Sequence, residues 1–457
     1  MTRVQYIRVF YGSVVIMTCC MIFLENNEEK LIDIGNDTTF RAPKIWLPLQ
    51  NDDMNIIDEI VVTEISNEGT DESFSGSQQH ENFNESFIDP MLIEGIPPGF
   101  KIPQTELTQE ETKLKKILVW NSAYGSKALD VGFGHRVFKL AGCEENRCMM
   151  TPNRNLTAVQ DFDAILFHFR GLTPKNLPHI RSPFQRWIFW EIESSSYVFQ
   201  TPNKYNNMFN WTFTYKRNSD IVFTYGRMYK KEKDISNNIL DREEDLTKII
   251  NGKTKMAAWF VSNCRTKSRR ERFVAKLQKF MEVDIYGGCG PFKCDRSQQN
   301  DCYKMVERDY KFYFSFENSL CPDYVTEKFF NVLKYDVVPV VYGLGDYEAI
   351  APPHSYINAL HYPSEKDLAK YLLYLNHNET AYKEYFSWKT SYMIAGHWYN
   401  LAQSHCDLCK KLHNDKEPKV YKHMQKWFME NEKCMKPRTS TWVEKVQDFA
   451  FNLGFNV

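Results

Sequence analysis

Residues 314–330 of the chain read FSFENSLCPDYVTEKFF and join a predicted strand to a predicted helix. The segment from Tyr310 to Phe316 is aromatic and β-prone, as expected of a buried strand. Pro322 and Asp323 interrupt this pattern, and an apolar helical face resumes at Phe329. The stretch therefore predicts a strand, a turn and the start of a helix.

A second apolar run, VVPVVYG at residues 337–343, completes one predicted βαβ unit. Thr326, Glu327 and Lys328 fall in the first helical turn of this unit. A helix that follows a strand presents unpaired N–H groups and the positive end of its dipole, which favour a phosphate. Lys328 adds a full positive charge there. From the residues alone, a solvated ion pair at a helix start is the alternative.

The charge of the chain is unevenly distributed. The net charge is −1, but residues 25–110 contain 19 acidic and 4 basic side chains, so the rest of the chain is net positive. A basic module behind an acidic tether suits an anionic ligand such as a nucleotide diphosphate. Nucleic acid is the alternative ligand, but the sequence contains no recognised nucleic-acid-binding motif.

The N-terminal part has the pattern of a membrane anchor followed by a stem. Residues 9–24 are apolar, and residues 1–8 contain Arg3 and Arg8, which predicts a cytoplasmic tail at 1–8 and an uncleaved signal anchor at 9–24. A cleaved signal peptide is the alternative. The acidic residues 25–111 predict a flexible stem. Predicted N-glycosylation sites that agree with a luminal location are Asn36, Asn84, Asn155 and Asn378.

The remaining residues predict a two-domain α/β protein. Apolar strands alternate with helical or polar segments, which predicts a first α/β domain at 112–230 and a second at 256–400. The polar stretch 231–255 is interpreted as a linker, and 401–457 as a C-terminal tail. Two Rossmann-like domains facing across a cleft are therefore expected. No G-x-G-x-x-G motif follows the first strand, which argues against a dinucleotide cofactor.

Ten cysteines follow the predicted anchor, and an even number in an oxidising compartment predicts up to five disulfides. Cys406 and Cys409 form a C-x-x-C pair for which a redox role is one alternative. A zinc site with His405 or His413 is another. Structural bridges are favoured over both.

The segment 314–328, continuing through residues 339–343, resembles the sugar-nucleotide motif of the α-1,3-fucosyltransferases, glycosyltransferase family 10. The resemblance covers about residues 115–410. It implies a type B fold and an inverting transfer of L-fucose from GDP-fucose to a GlcNAc hydroxyl, by a Golgi type II membrane enzyme. Implied partners are GDP-fucose, an N-glycan acceptor on glycoproteins and the membrane, with no nucleic acid. No tightly bound cofactor and no metal site are expected; stimulation by Mn²⁺ stays open.

The same resemblance assigns site residues. Glu193, in a segment similar to the family's Glu-Ser-Pro motif, is implied as the catalytic base, although Ser195 stands where the family commonly has Pro. Glu191 and Glu193 both end an apolar strand, and capping of that strand is the alternative role. Implied donor-binding residues are Asn263, Arg270, Asn318, Tyr324, Glu327 and Lys328. Arg269 is the alternative to Arg270, and core packing the alternative role for Tyr324.

Two further expectations rest on the cysteines. By resemblance, Cys406 and Cys409 bridge to Cys143 and Cys148. The cluster of Cys289, Cys294 and Cys302 resembles the subgroup that fucosylates the N-glycan core, so the innermost GlcNAc is the expected acceptor. Terminal N-acetyllactosamine, fucosylated in the Lewis manner, is the alternative acceptor. A catalytically inactive glycan-binding protein of the same fold is the alternative of another class.

Overall fold

The computed structural model describes residues 114–121, 131–198, 200–231, 239–295, 298–431 and 433–437. The predicted tail at 1–8, the anchor at 9–24, the stem at 25–111 and the sites Asn36 and Asn84 lie outside these residues. Within the described ranges, no helix has both the length and the apolar character needed to cross a bilayer.

The first lobe is built on a six-stranded parallel sheet with the strand order β2-β1-β3-β4-β5-β6. Its strands are β1 Lys115–Val119, β2 Cys148–Thr151, β3 Ala164–His168, β4 Arg186–Glu191, β5 Trp211–Thr214 and β6 Ile221–Val222. The central strands are continuous apolar runs because parallel sheets are covered on both faces.

Helices α1 Arg136–Leu140 and α9 His397–Asn414 cover one face of this sheet, where Trp398 and Leu408 belong to the same hydrophobic core cluster as Trp190. Met424 and Phe428 cover the other face. The C-terminal part of the chain thus returns to the first lobe. Strand β7 Met228–Lys230 pairs in antiparallel fashion with β13 Tyr392–Ile394 where the chain passes between the lobes.

The second lobe contains a five-stranded parallel sheet with the order β12-β11-β10-β8-β9. Its strands are β8 Lys255–Phe260, β9 Val283–Tyr286, β10 Tyr310–Phe316, β11 Val338–Tyr342 and β12 Ile357–Asn358. Its helices are α2 Ile239–Gly252, α3 Arg270–Leu277, α4 Gln299–Asp309, α5 Glu327–Phe330, α6 Tyr347–Ile350, α7 Glu365–His377 and α8 Glu379–Lys383. The predicted α/β fold with parallel sheets is confirmed.

Two predicted boundaries differ from the structure. The stretch 231–255, interpreted as a linker, contains α2, whose Leu246 and Ile250 pack in the core of the second lobe. These two side chains are four residues apart and therefore share a helix face, although the stretch as a whole is polar. The boundary predicted between residues 400 and 401 falls inside α9, which begins at His397 and packs on the first sheet.

Candidate active site at the junction of the two lobes

A cavity of about 130 Å³ lies at the carboxyl ends of the strands of the second sheet, the edge where ligands bind in open α/β sheets. One wall is aromatic and includes Phe260, Tyr286, Tyr303 and Tyr313. Five of the six residues predicted to bind the donor line the polar wall, namely Asn263, Arg270, Asn318, Glu327 and Lys328. Tyr324 is not among the described residues that line the cavity.

Arg270 is the first residue of α3 and is only 3% exposed. Its guanidinium donates to the carbonyl oxygen of Phe316 at 2.5 Å and to that of Asn263 at 3.5 Å. These two backbone acceptors fix the plane of the guanidinium beside the cavity. The neighbouring Arg269 has a left-handed backbone, with φ +51°, and does not line the cavity. The geometry therefore favours Arg270 over Arg269 as a ligand for an anion.

Lys328 lies in the single turn of α5, between two carboxylates. Its Nζ is 3.0 Å from Glu327 Oε1 and 3.7 Å from Glu317 Oε2. Burial alone would lower the pKa of Lys328, but Glu327 and Glu317 outweigh it and raise this pKa to about 12. The ammonium group therefore stays charged at physiological pH.

Glu317 is a buried carboxylate beside Lys328 that the sequence analysis did not single out. It is fully buried at the end of β10, and its carboxylate accepts from both the backbone N–H and the hydroxyl of Thr326, at 2.8 and 2.9 Å. Burial raises the pKa of Glu317, and Lys328 opposes this shift. The signal that could have found it is an acidic residue directly after a largely apolar strand, because such residues are rarely buried without a partner.

The positive charge of the site comes from side chains more than from a helix dipole. The sequence predicted a phosphate-binding helix N-terminus, but α5 has only four residues. The N–H of Thr326 is already donated to Glu317. Since a macrodipole needs several aligned peptide units, one turn contributes little. Arg270 and Lys328 therefore supply the electrostatic attraction for an anion.

Glu193 follows β4 of the first lobe and reaches the second lobe through Tyr324. The Tyr324 hydroxyl donates to Glu193 Oε2 at 2.9 Å, and the Glu193 N–H donates to Glu191 Oε1 at 3.0 Å. Glu191 itself is fully buried, and His168 Nε2 lies 3.9 Å from its Oε1. Burial raises the pKa of Glu191 to about 8. The two carboxylates of the motif thus have different surroundings.

The serines that follow Glu193 dock on the loop after β10. The Ser194 and Ser196 hydroxyls are 2.9 and 2.7 Å from that of Ser319 in the second lobe. The Ser195 N–H donates to the Tyr215 hydroxyl at 3.1 Å. A proline at position 195 would lack this donor, so the departure from the family motif adds one hydrogen bond.

Tyr197 and Asn318 complete the contacts around the cavity. Tyr197, in the 3-10 turn after the serines, accepts from the Asn263 side chain at 3.4 Å, a link between the lobes that the sequence analysis missed. Asn318 Oδ1 is buried and has no hydrogen-bond partner in the part of the chain that the structure describes. The carbonyl oxygen of this amide is therefore available to a ligand in the cavity.

Ten cysteines form five disulfides within the described ranges: Cys143–Cys406, Cys148–Cys409, Cys264–Cys289, Cys294–Cys302 and Cys321–Cys434. The first two join α9 to the first lobe. Cys148, Cys409 and His413 lie close enough to hold a metal ion, but both sulfurs are joined to each other and cannot act as thiolate ligands. The redox and zinc alternatives for the C-x-x-C pair are therefore not supported.

Two predicted glycosylation sites fall in the described ranges. Asn155 is exposed. Asn378 caps α8, where its side-chain oxygen accepts from the Ala381 N–H and its side-chain nitrogen donates to the Tyr374 hydroxyl. Glycosylation at both positions stays a prediction.

Comparison with known proteins identifies the family. Residues 112–226 match the family model "Fucosyltransferase, N-terminal", and residues 250–427 match "Glycosyltransferase family 10 (fucosyltransferase) C-term". Glycoprotein 3-alpha-L-fucosyltransferase A of Drosophila melanogaster is 38% identical over 323 residues, 69% of this chain and 60% of that protein. The chain thus spans less than two thirds of this relative.

Two further relatives are covered more fully. Alpha-(1,3)-fucosyltransferase C of Drosophila melanogaster is 33% identical over 69% of this chain and 77% of its own length. Alpha-(1,3)-fucosyltransferase fut-1 of Caenorhabditis elegans is 32% identical over 75% of this chain and 79% of its own length. A crystal structure of alpha1,3-fucosyltransferase with GDP-fucose aligns with 73% of this chain and 98% of its own, at 16% identity and a TM-score of 0.45. From the two family models and the relatives, this chain belongs to glycosyltransferase family 10 and is a fucosyltransferase.

Proposed function

We propose that the protein transfers L-fucose from GDP-fucose, in α-1,3 linkage, to the innermost GlcNAc of N-glycans. The observation that carries the proposal is that Arg270 and Lys328 line one cavity of the second lobe, while Glu193 of the first lobe is hydrogen-bonded to the loop leading to Lys328. Two cationic side chains in one cavity and a carboxylate from the opposite lobe are what a sugar transfer from a nucleotide requires.

The cavity suits a nucleoside diphosphate. Its aromatic wall offers Tyr303 and Tyr313 to a base, and the Glu327 carboxylate can accept from ribose hydroxyls. The guanidinium of Arg270 binds phosphate oxygens in a planar fork, and Lys328 adds a point charge. In the absence of ligand, the charge of Lys328 is balanced by Glu317 and Glu327. The donor diphosphate therefore competes with these two carboxylates for Lys328.

The proposed reaction is a single inverting displacement. The acceptor hydroxyl oxygen attacks C1 of the fucose as the bond from C1 to the β-phosphate oxygen breaks. The hydroxyl proton goes to Glu193, and the electron pair of the broken bond leaves with GDP. Arg270 and Lys328 stabilise the negative charge that develops on the diphosphate.

The acceptor and the location are supported by separate observations. The first relative named above is a glycoprotein fucosyltransferase, which favours a glycoprotein acceptor over a free oligosaccharide. Five disulfides imply an oxidising compartment. Together with the predicted anchor, they support a Golgi type II membrane protein with its catalytic part in the lumen.

A Glu193→Gln substitution tests the proposal. With GDP-fucose and a truncated N-glycan as substrates, we expect E193Q to lose transfer by about 10²- to 10⁴-fold, because the base is removed. Binding of GDP, measured by calorimetry, is expected to stay at the wild-type level. The matched control is E144Q, since Glu144 is an exposed carboxylate of the first lobe, paired with Lys410 at 2.6 Å; it should transfer normally.

Two other outcomes would contradict the proposal. Wild-type rates in E193Q would exclude Glu193 as the base. Glycan binding by the wild-type protein that needs no GDP-fucose, with no transfer, would favour the inactive glycan-binding alternative. A mass spectrum of the product locates the fucose: on the innermost GlcNAc for the proposed acceptor, and on a terminal lactosamine for the Lewis-type alternative.

A further inference from the structure

We infer that Ser319 is a positioning residue for the base Glu193, acting through a ring of three buried hydroxyl groups; this inference rests on the proposed function. The ring consists of Ser319 of the second lobe and of Ser194 and Ser196, which follow Glu193 in the first lobe. The Oγ atom of Ser319 is 2.9 Å from that of Ser194 and 2.7 Å from that of Ser196. The Oγ atoms of Ser194 and Ser196 are 3.0 Å apart. The ring thus connects the two lobes one residue after the base.

Each hydroxyl of the ring can donate one hydrogen bond and accept one. Ser194 donates to Ser319, and the ring closes when Ser319 donates to Ser196 and Ser196 donates to Ser194. Ser194 and Ser319 are fully buried, and Ser196 is 9% exposed. Since a buried hydroxyl that loses its partner is destabilising, the ring favours the one arrangement of the two loops in which all three bonds form.

The remaining contacts of the loop that carries Glu193 do not replace the ring. The Glu193 N–H donates to Glu191 Oε1 at 3.0 Å, and the Ser195 N–H donates to the Tyr215 hydroxyl at 3.1 Å. Both bonds hold the loop to its own lobe. From the second lobe, the Tyr324 hydroxyl contacts the Glu193 carboxylate itself, whereas the ring holds the two residues that flank Ser195. The ring therefore sets the position of the base loop relative to the second lobe.

On the other side, Ser319 belongs to the segment that forms part of the donor cavity. It follows Asn318, which lines the cavity, and the Asn318 carbonyl accepts from the Ser268 N–H at 2.9 Å. The Phe316 carbonyl accepts from the Arg270 guanidinium at 2.5 Å. Ser319 itself is not among the described residues that line the cavity. Loss of its hydroxyl should therefore shift the base loop and leave the contacts of the donor in place.

Ser319→Ala tests this role. We expect kcat to fall by about 10- to 100-fold, because a small displacement of the base from the acceptor hydroxyl slows the chemical step. KM for GDP-fucose should stay within about twofold of wild type, because the residues that line the cavity are unchanged. In an E193Q background, S319A should cause no further loss of transfer, because the base that the ring positions is already absent.

A triple variant separates positioning from folding. S194A/S196A/S319A removes all three hydroxyls and leaves none of them without a partner, so its denaturation midpoint should be closer to wild type than that of S319A. Its kcat should stay low, because no hydrogen bond holds the two loops together. The matched control is S355A: Ser355 of the second lobe is 1% exposed and donates to the Pro352 carbonyl at 2.6 Å. S355A should keep the wild-type kcat.

Several results would overturn the inference. Wild-type kcat in S319A would do so, and so would a raised KM for GDP-fucose at unchanged kcat, which would make Ser319 part of the donor site. Recovery of kcat together with stability in the triple variant would reduce the ring to a folding role. An equal fractional loss in the wild-type and E193Q backgrounds would show that the hydroxyl does not act through Glu193. If E193Q itself transfers normally, the proposed function fails first and the role of Ser319 fails with it.

Discussion

Two glutamates that stand two residues apart at the end of β4 illustrate how one motif creates two chemical environments. Glu193 is partly exposed and accepts from Tyr324 of the other lobe. Glu191 is fully buried and accepts from the Glu193 N–H. The sequence predicts both carboxylates at a strand end, but it does not say which one is buried, because that depends on the strands and loops packed around them.

The burial of Glu191 predicts a pH-dependent stability that Glu191→Gln removes. Burial raises its pKa from 4.5 to about 8, with Glu193, Arg170 and His168 as neighbouring charged or titratable groups. Between these values the folded protein retains a proton that the unfolded chain has lost, so stability falls as pH rises. We expect the melting temperature of wild type minus that of E191Q to decrease steadily from pH 5 to pH 8. A difference in melting temperature between wild type and E191Q that does not change with pH would contradict the raised pKa of Glu191.

At the scale of elements, the βαβ unit was predicted well in its strands and poorly in its helix. Strands β10 and β11 and their parallel pairing follow from two runs that are rich in aromatic and apolar residues. Helix α5 has only four residues. Its start is set by hydrogen bonds between Thr326 and the buried Glu317, and a contact across nine residues has no periodic signature in the sequence.

This local anchor predicts that the hydroxyl of Thr326 stabilises both the turn and the donor site. Thr326 Oγ1 donates to Glu317 and accepts from the Lys328 N–H. Thr326→Ala should lower the free energy of unfolding by about 1–2 kcal/mol, as for a lost helix cap or a weakened buried hydrogen bond. It should also raise KM for GDP-fucose, because Lys328 shifts. Thr326→Ser keeps the hydroxyl and is the matched control. Denaturant titration and initial rates test this; equal effects of both substitutions would argue against the anchor.

At the scale of the whole molecule, the sequence predicted two α/β domains and placed the C-terminal residues outside them. Residues 397–414 form α9, which contributes Trp398, Leu401 and Leu408 to the core of the first lobe. Composition marks such a helix as amphipathic but does not identify the sheet that it covers. Only the cysteine pairs, implied by the family resemblance, connected this part of the sequence to the first domain.

The two bridges that join α9 to the first lobe are nearly redundant because they close almost the same loop of the chain. Cys143–Cys406 and Cys148–Cys409 span 263 and 261 residues. With one bridge present, the other closes only a ring of a few residues. Chain entropy therefore assigns about 3 kcal/mol to the loss of one bridge while the other remains. Loss of the last remaining bridge costs about 5–6 kcal/mol, whichever of the two is removed first.

The redundancy predicts a cooperative loss of stability. C143S/C406S or C148S/C409S should each lower the free energy of unfolding by about 3 kcal/mol, and the quadruple variant by about 8 kcal/mol, more than the sum of the two, because only then is the long loop open. Denaturant titration without reductant measures these values. C294S/C302S, which removes a bridge of sequence separation 8 in the second lobe, is the control and should add independently to either pair. Strict additivity in the quadruple variant would mean that loop closure does not govern the stabilisation by α9.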